Sequence, residues 1–495
     1  MTRAFVTLSP VPFSRLRRCA LSALCCAVLA ACTVGPDYQR PDIDLGEAYK
    51  EVRSQPGWKP AQPRDAAQRG EWWGVYGDAT LDGLMGQLNT SNLTIAQAEA
   101  NYRQAQALVQ GARAAFFPTV GTNAGATRAG GGSSATGSGV GNQYNLSGTA
   151  SWELDLWGRV RRNVEASQAE ADASQADLAN TRLSAQSALV QNYFQLRILD
   201  EQKRLLESTV QAYERSLTLT QNRYQAGVAG KSDVSVALAQ LENARAQLVD
   251  LEWQRGQFEH AIAVLVGLAP SRFALPARAF SQAVPQIPAG MPSELLERRP
   301  DVAAAERRAA SANAQIGVAQ SAWFPDLVLS ADGGFRSGQF SEWLTAPARF
   351  WSLGPALALT LFDGGAREAQ LEQARAAYDA QAAAYRQTVL GALREVEDYL
   401  IQLRVLEQEQ IVQRRALEAS REALRLARNQ YEAGLVDYLS VAVLETSALN
   451  NERSALTLMG SRLTTSVQLI AALGGGWQGL EAEQAAQEGQ AAAAQ

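Results

Sequence analysis

The sequence predicts a mainly α-helical protein that also contributes strands to a membrane β-barrel. Three observations support this fold class. The chain of 495 residues repeats itself after roughly 200 residues, and each repeat contains a very long proline-free segment in which apolar residues recur at a spacing of seven, with Lys203 as an exception. Each repeat also contains strands in which apolar and polar residues alternate.

The duplication is visible in markers that share one separation. Phe117-Pro118 recurs as Phe324-Pro325, and the turn Asn222–Val228 recurs as Asn429–Leu435. Several apolar positions also recur at this separation, with Leu189, Leu196, Val210, Leu217 and Tyr224 matching Val396, Leu403, Leu417, Leu424 and Tyr431. The repeat is too long for a solenoid unit, so the pattern indicates a tandem duplication.

Residues 1–31 are predicted to be a signal peptide, because a basic start precedes a short apolar run from Cys19 to Ala31. The run ends in Leu29-Ala30-Ala31-Cys32, which is similar to the lipobox of bacterial lipoproteins. Cys32 is therefore predicted to be acylated and to begin the mature chain, with ordinary signal cleavage nearby as the alternative. Thr33 in place of an aspartate favours the outer membrane, by similarity to lipoprotein sorting signals. No cysteine follows Cys32, so no disulfide is expected.

Prolines and glycines divide the remainder of the chain. The two repeats are predicted to span residues 89–269 and 298–473, separated by a proline-rich linker at 270–297 and flanked by segments 32–88 and 474–495. Each repeat is predicted to contain a helix, two strands, a long helix, a glycine turn and a returning helix. The predicted strands cover about 117–128, 143–157, 325–336 and 350–362, and the long helices cover 159–225 and 366–432.

The long helices carry the clearest periodic pattern. Each would be on the order of 100 Å long at 1.5 Å per residue. A sustained seven-residue apolar period predicts left-handed supercoiling against neighbouring helices. A soluble coiled-coil rod would show the same period, so the helices alone leave the fold class open.

The strands distinguish these alternatives. From Tyr144 to Leu156, every second residue is apolar or small, and the residues between them are polar. Residues 351–361 alternate in the same way, which is typical of a barrel with lipid outside and water inside. Four strands cannot close a barrel, because small barrels need about eight. Strands from more than one chain are therefore expected to combine.

Composition excludes several functional classes. His260 is the only histidine, which argues against histidine-based metal sites and serine–histidine or cysteine–histidine catalysis. The formal net charge of −5 gives no electrostatic footprint for nucleic acid. No enzyme activity, cofactor or metal is therefore expected.

Several motifs of the chain resemble those of a known family. The start Cys32–Tyr38 is similar to the lipidated start of outer-membrane factors of tripartite efflux pumps, and Leu295–Val302 (LLERRPDV) is the most specific match. Trp72-Trp73, Ile316–Ala319 and Leu473–Trp477 also agree. The resemblance covers residues 32 to 478 and points to TolC-like channels of the lipoprotein branch, often called the NodT family.

The resemblance implies a homotrimer. Three chains would form a twelve-strand β-barrel in the outer membrane and a twelve-helix α-barrel in the periplasm. Segments 32–88 and 270–297 and the C-terminal residues would form an equatorial region around the helices, with 474–495 partly disordered. The implied partners are outer-membrane lipid, a periplasmic adaptor protein and an inner-membrane pump.

The two helical hairpin turns are the best candidate sites. A glycine there first ends a helix, because glycine accepts a left-handed conformation. This role does not explain the aliphatic residue that follows each glycine. The resemblance implies adaptor contact at the tips, whose candidate residues are Gly227, Val228, Ala229, Gly434, Leu435 and Val436.

The resemblance also implies a periplasmic gate just beyond the second turn. Counting from Gly434, the pore-facing aliphatic position is Leu439, and the position that is acidic in relatives is Val443. A ring of charges at Val443 is therefore in doubt. Asp437 and Glu445 are the nearby carboxylates that could replace it.

The preferred function is a passive conduit that exports drugs or other small toxic compounds from the periplasm to the exterior. Metal-ion efflux is the alternative cargo. An enzyme of the cell envelope and a sealed, non-conducting coiled-coil spacer are the alternative classes; the missing catalytic set argues against the first and the alternating strands against the second.

Overall fold

The computed structural model describes residues 33–43, 49–51, 71–130, 140–280, 282–285 and 299–475. The predicted signal peptide, Cys32 and nearly all of the predicted tail lie outside these residues. The helices are α1 (Ala79–Ser91), α2 (Leu93–Ala114), α3 (Arg159–Gln225), α4 (Lys231–Leu265), α5 (Pro300–Ser321), α6 (Ala366–Glu432) and α7 (Tyr438–Ala472). The strands are β1 (Thr119–Gly130), β2 (Val140–Leu154), β3 (Asp326–Ser337) and β4 (Arg349–Ala358).

The chain divides into two compact units. One comprises Met1–Pro41, Arg103–Asp172 and Glu306–Ala384, and contains the strands. The other comprises Asp42–Tyr102, Ala173–Ala305 and Tyr385–Gln495, and contains the helical hairpin turns.

The strands form one antiparallel sheet in the order β1-β2-β3-β4. Its register places residues of one chemical kind side by side across the sheet. Trp152 pairs with Leu329, which pairs with Pro355, whereas Thr149 pairs with Asp332, which pairs with Ser352. One face is therefore apolar and the other polar, as the alternation predicts.

The strand ends differ from the predicted ones by a few residues. β2 ends at Leu154 and not at 157, because Asp155 accepts hydrogen bonds from the first backbone N–H groups of α3, those of Val160 and Arg161, at 2.9 Å each. β4 ends at Ala358, the partner of Asp326, although the alternation continues to Leu361. The first residue of β3, Asp326, is preceded by Pro325, which has no backbone N–H to extend the ladder.

α3 and α6 each contain 67 residues, over the same bounds as the proline-free segments of the sequence. Within the second unit, Leu189 and Leu196 of the heptad series are fully buried, whereas Tyr224 near the turn is largely exposed. The core there also contains Trp72, Trp73 and other aromatic side chains. No helix in the described part of the chain has the apolar length that a membrane crossing requires.

Candidate functional site

The first hairpin turn connects α3 to α4 through a left-handed glycine. Gly227 has φ of 75°. Gly227 N–H donates to the Tyr224 carbonyl at 3.0 Å, and Val228 N–H donates to the Arg223 carbonyl at 2.9 Å. This pair of bonds is the Schellman arrangement, which satisfies carbonyl groups that the end of a helix leaves unpaired.

The second turn, between α6 and α7, has the same geometry. Gly434 also has φ of 75°, and Leu435 N–H donates to the Gln430 carbonyl at 2.9 Å. A methyl group added at Gly227 would meet no atom within 4 Å, and one at Gly434 would meet only a side-chain nitrogen of Arg223 at 3.6 Å. Both glycines are therefore required by backbone conformation and not by lack of space.

Each turn presents an aliphatic side chain on its outer surface. Val228 is 66% exposed and Leu435 is 75% exposed. Ala229 and Val436 are only half-buried, and Val436 packs against a small core that includes Tyr431 and Tyr438. Of the predicted contact residues, Val228 and Leu435 therefore offer the apolar surface, whereas Val436 contributes to packing below it.

A polar network joins the two hairpins directly beneath their tips. Arg223 Nη1 donates to the Tyr431 carbonyl at 2.6 Å, and the guanidinium lies 4.5 Å from the centroid of the Tyr431 ring. The Tyr431 hydroxyl lies 3.2 Å from Thr220 Oγ1. The Tyr438 hydroxyl donates to Gln240 Oε1 at 3.0 Å, and Gln240 Nε2 donates to the Ala442 carbonyl at 2.7 Å.

None of the residues in this network is among the sites predicted from the sequence. One signal was present, because the repeated turn motif carries Arg223 in the first copy and Gln430 in the second. Such a departure from the repeat marks a position where the two hairpins have different partners. The identity of the partner, Tyr431, depends on packing between the repeats and has no local signal.

Leu439 and Val443 share an exposed face of α7, one helical turn apart, and are 53% and 60% exposed. Asp437 is the N-cap of α7 and accepts from Ser440 N–H at 3.0 Å and from Ser440 Oγ at 2.6 Å. These two bonds from Ser440 lower the pKa of Asp437 below its ordinary value. Asp437 therefore carries a negative charge at the start of the same helix.

Glu445 does not lie on that exposed face. It is buried, it accepts from Arg428 Nη2 at 2.9 Å, and its Oε2 lies 3.2 Å from the Tyr438 hydroxyl oxygen. Burial and the nearby Glu445 charge together raise the pKa of Tyr438 and raise that of Tyr213 to about 12. Glu445 is therefore a structural partner of α6, which removes it as a replacement for the missing acidic position.

Within the described residues, no group of three or more histidine, cysteine, aspartate or glutamate side chains is arranged to hold a metal ion. The arrangement at the tips is instead that of a contact surface. It consists of hydrogen-bonded turns, apolar tips and a polar network that joins the two hairpins.

Comparison with known proteins identifies the family. The family model described as outer membrane efflux protein matches residues 84–268 and 291–475, one match for each repeat. The probable efflux pump outer membrane protein TtgC of Pseudomonas putida is 30% identical over 459 residues, covering 91% of this chain and 94% of that protein. Outer membrane protein OprJ of Pseudomonas aeruginosa is 32% identical over 466 residues, covering 92% and 96%.

The solved structure of the outer-membrane channel OprN is similar in fold, with a TM-score of 0.81 and 32% identity over 90% of this chain and all of that one. Such relatives are channel proteins and not enzymes, and outer-membrane efflux channels work as trimers with adaptor proteins and inner-membrane pumps. The chain belongs to the outer membrane efflux protein family and is the outer-membrane channel of a tripartite efflux system.

Proposed function

We propose that this chain is a passive, lipid-anchored conduit whose two hairpin tips contact a periplasmic adaptor protein. The observation that carries the proposal is the pair of glycine turns that each expose one aliphatic side chain, Val228 and Leu435. An exposed aliphatic residue on a rigid turn loses little conformational entropy on binding and buries apolar area. Because both turns carry such a residue, the contact is expected to use both tips at once.

The same proposal gives each segment of the chain a role. Residues 89–269 and 298–473 are the two repeats, and 32–88 and 270–297 form the equatorial region. Acylated Cys32 holds the mature chain to the membrane in addition to the barrel. Leu439 and Val443, together with Asp437 at the start of α7, line the periplasmic constriction of a trimer.

The proposed cargo is small toxic organic molecules. The names of two relatives refer to toluene efflux and antibiotic efflux, and these proteins are about as similar to this chain as the other curated relatives. Metal ions are the other cargo to test. A strain without this channel should become sensitive to organic solvents and antibiotics, whereas sensitivity to copper or silver salts alone would replace the proposed cargo.

Adaptor contact is tested by placing a charge on the tips without changing the turns. Val228→Asp combined with Leu435→Asp should abolish export of a fluorescent dye while trimer levels in the outer membrane stay normal. The control is Val228→Ile combined with Leu435→Met, which keeps an apolar surface and should retain export. Normal export by the aspartate variant would refute adaptor contact at these residues, and parallel loss of trimers would make them structural.

A further inference from the structure

The segment Thr33–Tyr38, here called the strap, is held in place by one buried side chain of α3. Arg162 Nε donates to the Val34 carbonyl at 3.3 Å, and its Nη2 donates to the Gly35 carbonyl at 3.2 Å and to Asp37 Oδ1 at 2.9 Å. The Arg162 side chain is only 5% exposed. Loss of the strap would therefore leave a buried guanidinium without most of its acceptors.

The strap also bonds to two other parts of the same compact unit. Val34 N–H donates to the Trp157 carbonyl at 3.0 Å, and Asn313 Nδ2 of α5 donates to the Pro36 carbonyl at 2.9 Å. α3 belongs to the first repeat and α5 to the second. The strap therefore bridges the two repeats.

Glycines make the close approach of the strap possible. Gly35 has φ of 105°, and a methyl group there would lie 2.5 Å from the Gly317 Cα atom. A methyl group at Gly158, where φ is 85°, would lie 2.6 Å from Thr33 Cγ2. The fit on both sides excludes any larger side chain without movement of the strap.

The strap bonds to Trp157, which forms an aromatic pair with Phe324 next to the sheet. The rings of Trp157 and Phe324 stack with centroids 4.8 Å apart, and Trp157 Nε1 donates to the Pro325 carbonyl at 2.8 Å. Tryptophan is enriched where membrane proteins meet the lipid–water interface. Thr33 itself lies against Gly158, so a group attached to the residue before Thr33 starts one peptide unit from that contact.

We propose that Arg162 is the docking residue for the strap. The docked strap fixes the point where the N-terminal lipid leaves the protein, and it connects the first repeat to the second. The lipid part of this inference rests on the proposed acylation of Cys32. The docking part rests only on the contacts of the strap. Arg162 is thus a positioning residue for the anchor, and the strap is an ordered structural element and not a flexible linker.

Docking is tested with a nitroxide on Gln39→Cys, an exposed position immediately after the strap. In trimers purified from outer membranes, the spectrum should be that of a restricted label. Arg162→Gln and Gly35→Ala should each convert it to that of a mobile label. Gly111→Ala in α2, where a methyl group would meet no atom within 4 Å, is the matched control and should leave the label restricted.

A restricted label in both Arg162→Gln and Gly35→Ala would overturn the proposal. If Arg162→Gln yields too few trimers, Asn313→Ala removes only the bond to Pro36 and should give partial mobility; an unchanged spectrum in that variant would equally count against docking. All spectra are recorded in a Cys32→Ser background as well. Mass measurement of the N-terminal peptide reports acylation separately, so an unmodified Cys32 with a restricted label would refute the anchor and keep the docked strap.

Discussion

Arg223 in the last turn of α3 and Tyr431 in the last turn of α6 are joined in two ways. The guanidinium donates to the Tyr431 carbonyl at 2.6 Å and lies 4.5 Å from the centroid of its ring. The carbonyl belongs to the turn that precedes Gly434, where Gly434 N–H is its second donor at 3.0 Å. One side chain of the first hairpin therefore supports the turn of the second.

We predict that Arg223→Lys loosens the two tips. Lysine keeps the charge but loses the planar group that both donates and stacks, at a cost of about 1.5–3 kcal/mol for a charged hydrogen bond. Channels in planar bilayers should open more often than wild type. Arg215→Lys, at an exposed position of the same helix, is the control and should behave as wild type. Equal opening of Arg223→Lys and wild type would mean that the link does not restrain the tips.

The fold class follows from the sequence because its signals are local. Glycine positions set the bounds of α3 and α6, and alternation assigns Trp152 and Thr149 to opposite faces of the sheet. The glycine turns are predicted for the same reason, since the residues that end the helix are adjacent in the chain.

The remaining features depend on partners far away in sequence. The end of β4 is set by Pro325, which precedes the neighbouring strand β3, and not by the alternation of β4 itself, which continues to Leu361. Arg162 and Val34 are 128 residues apart, and no spacing rule connects them. The sequence alone does not exclude Glu445 as a gate residue, because periodicity gives its face of the helix but not the Arg428 side chain that pairs with it.

Asp78 gives a prediction on pH. It caps α1 and accepts from Tyr193 at 2.6 Å, from Thr80 N–H at 2.9 Å and from Arg278. Burial alone would raise the pKa of Asp78, but these hydrogen bonds outweigh burial and hold the pKa below its usual value. The charged form therefore stabilises the fold above an unfolded pKa of about 3.9, and this contribution is lost as the pH falls through the lower folded pKa.

Asp78→Asn should accordingly destabilise α1 by about 2 kcal/mol at neutral pH. The difference from wild type should shrink as the pH falls from about 4 through the lower pKa of the folded state, because protonation of Asp78 then removes the stabilising charge. Hydrogen exchange of the α1 amides measures the destabilisation at neutral pH and at low pH. Asp82→Asn, an exposed acid in the first turn of the same helix, is the control. A difference that stays constant down to low pH would indicate lost packing and not lost charge.

We predict that Cys32 carries the anchor. Labelled palmitate should enter the wild type and not Cys32→Ser, because no other cysteine would remain after signal cleavage. One acyl chain binds a membrane only marginally, whereas two or more anchor it stably. The variant should still assemble, since the barrel also holds it in the membrane. Equal labelling of both proteins would show that the lipid, if present, is attached elsewhere.

The final prediction concerns how the resting pore is closed. We expect Leu439 to line the constriction and to close it mainly by packing, because three aliphatic side chains can narrow a pore and exclude water from it. Leu439→Ala should therefore raise single-channel conductance in planar bilayers. Val443→Ala, one helical turn further on the same exposed face, should have a smaller effect if Leu439 is the narrowest point.

Asp437 provides the competing explanation, since three aspartates would bind cations and repel one another at short range. Asp437→Asn distinguishes closure by packing from closure by a charged ring, because asparagine caps a helix as well as aspartate but carries no charge. If packing closes the pore, multivalent cations should block the wild type poorly from the periplasmic side, and Asp437→Asn should not change this. Strong block by a low concentration of a trivalent cation, lost in Asp437→Asn, would establish a carboxylate ring at the constriction and refute closure by Leu439.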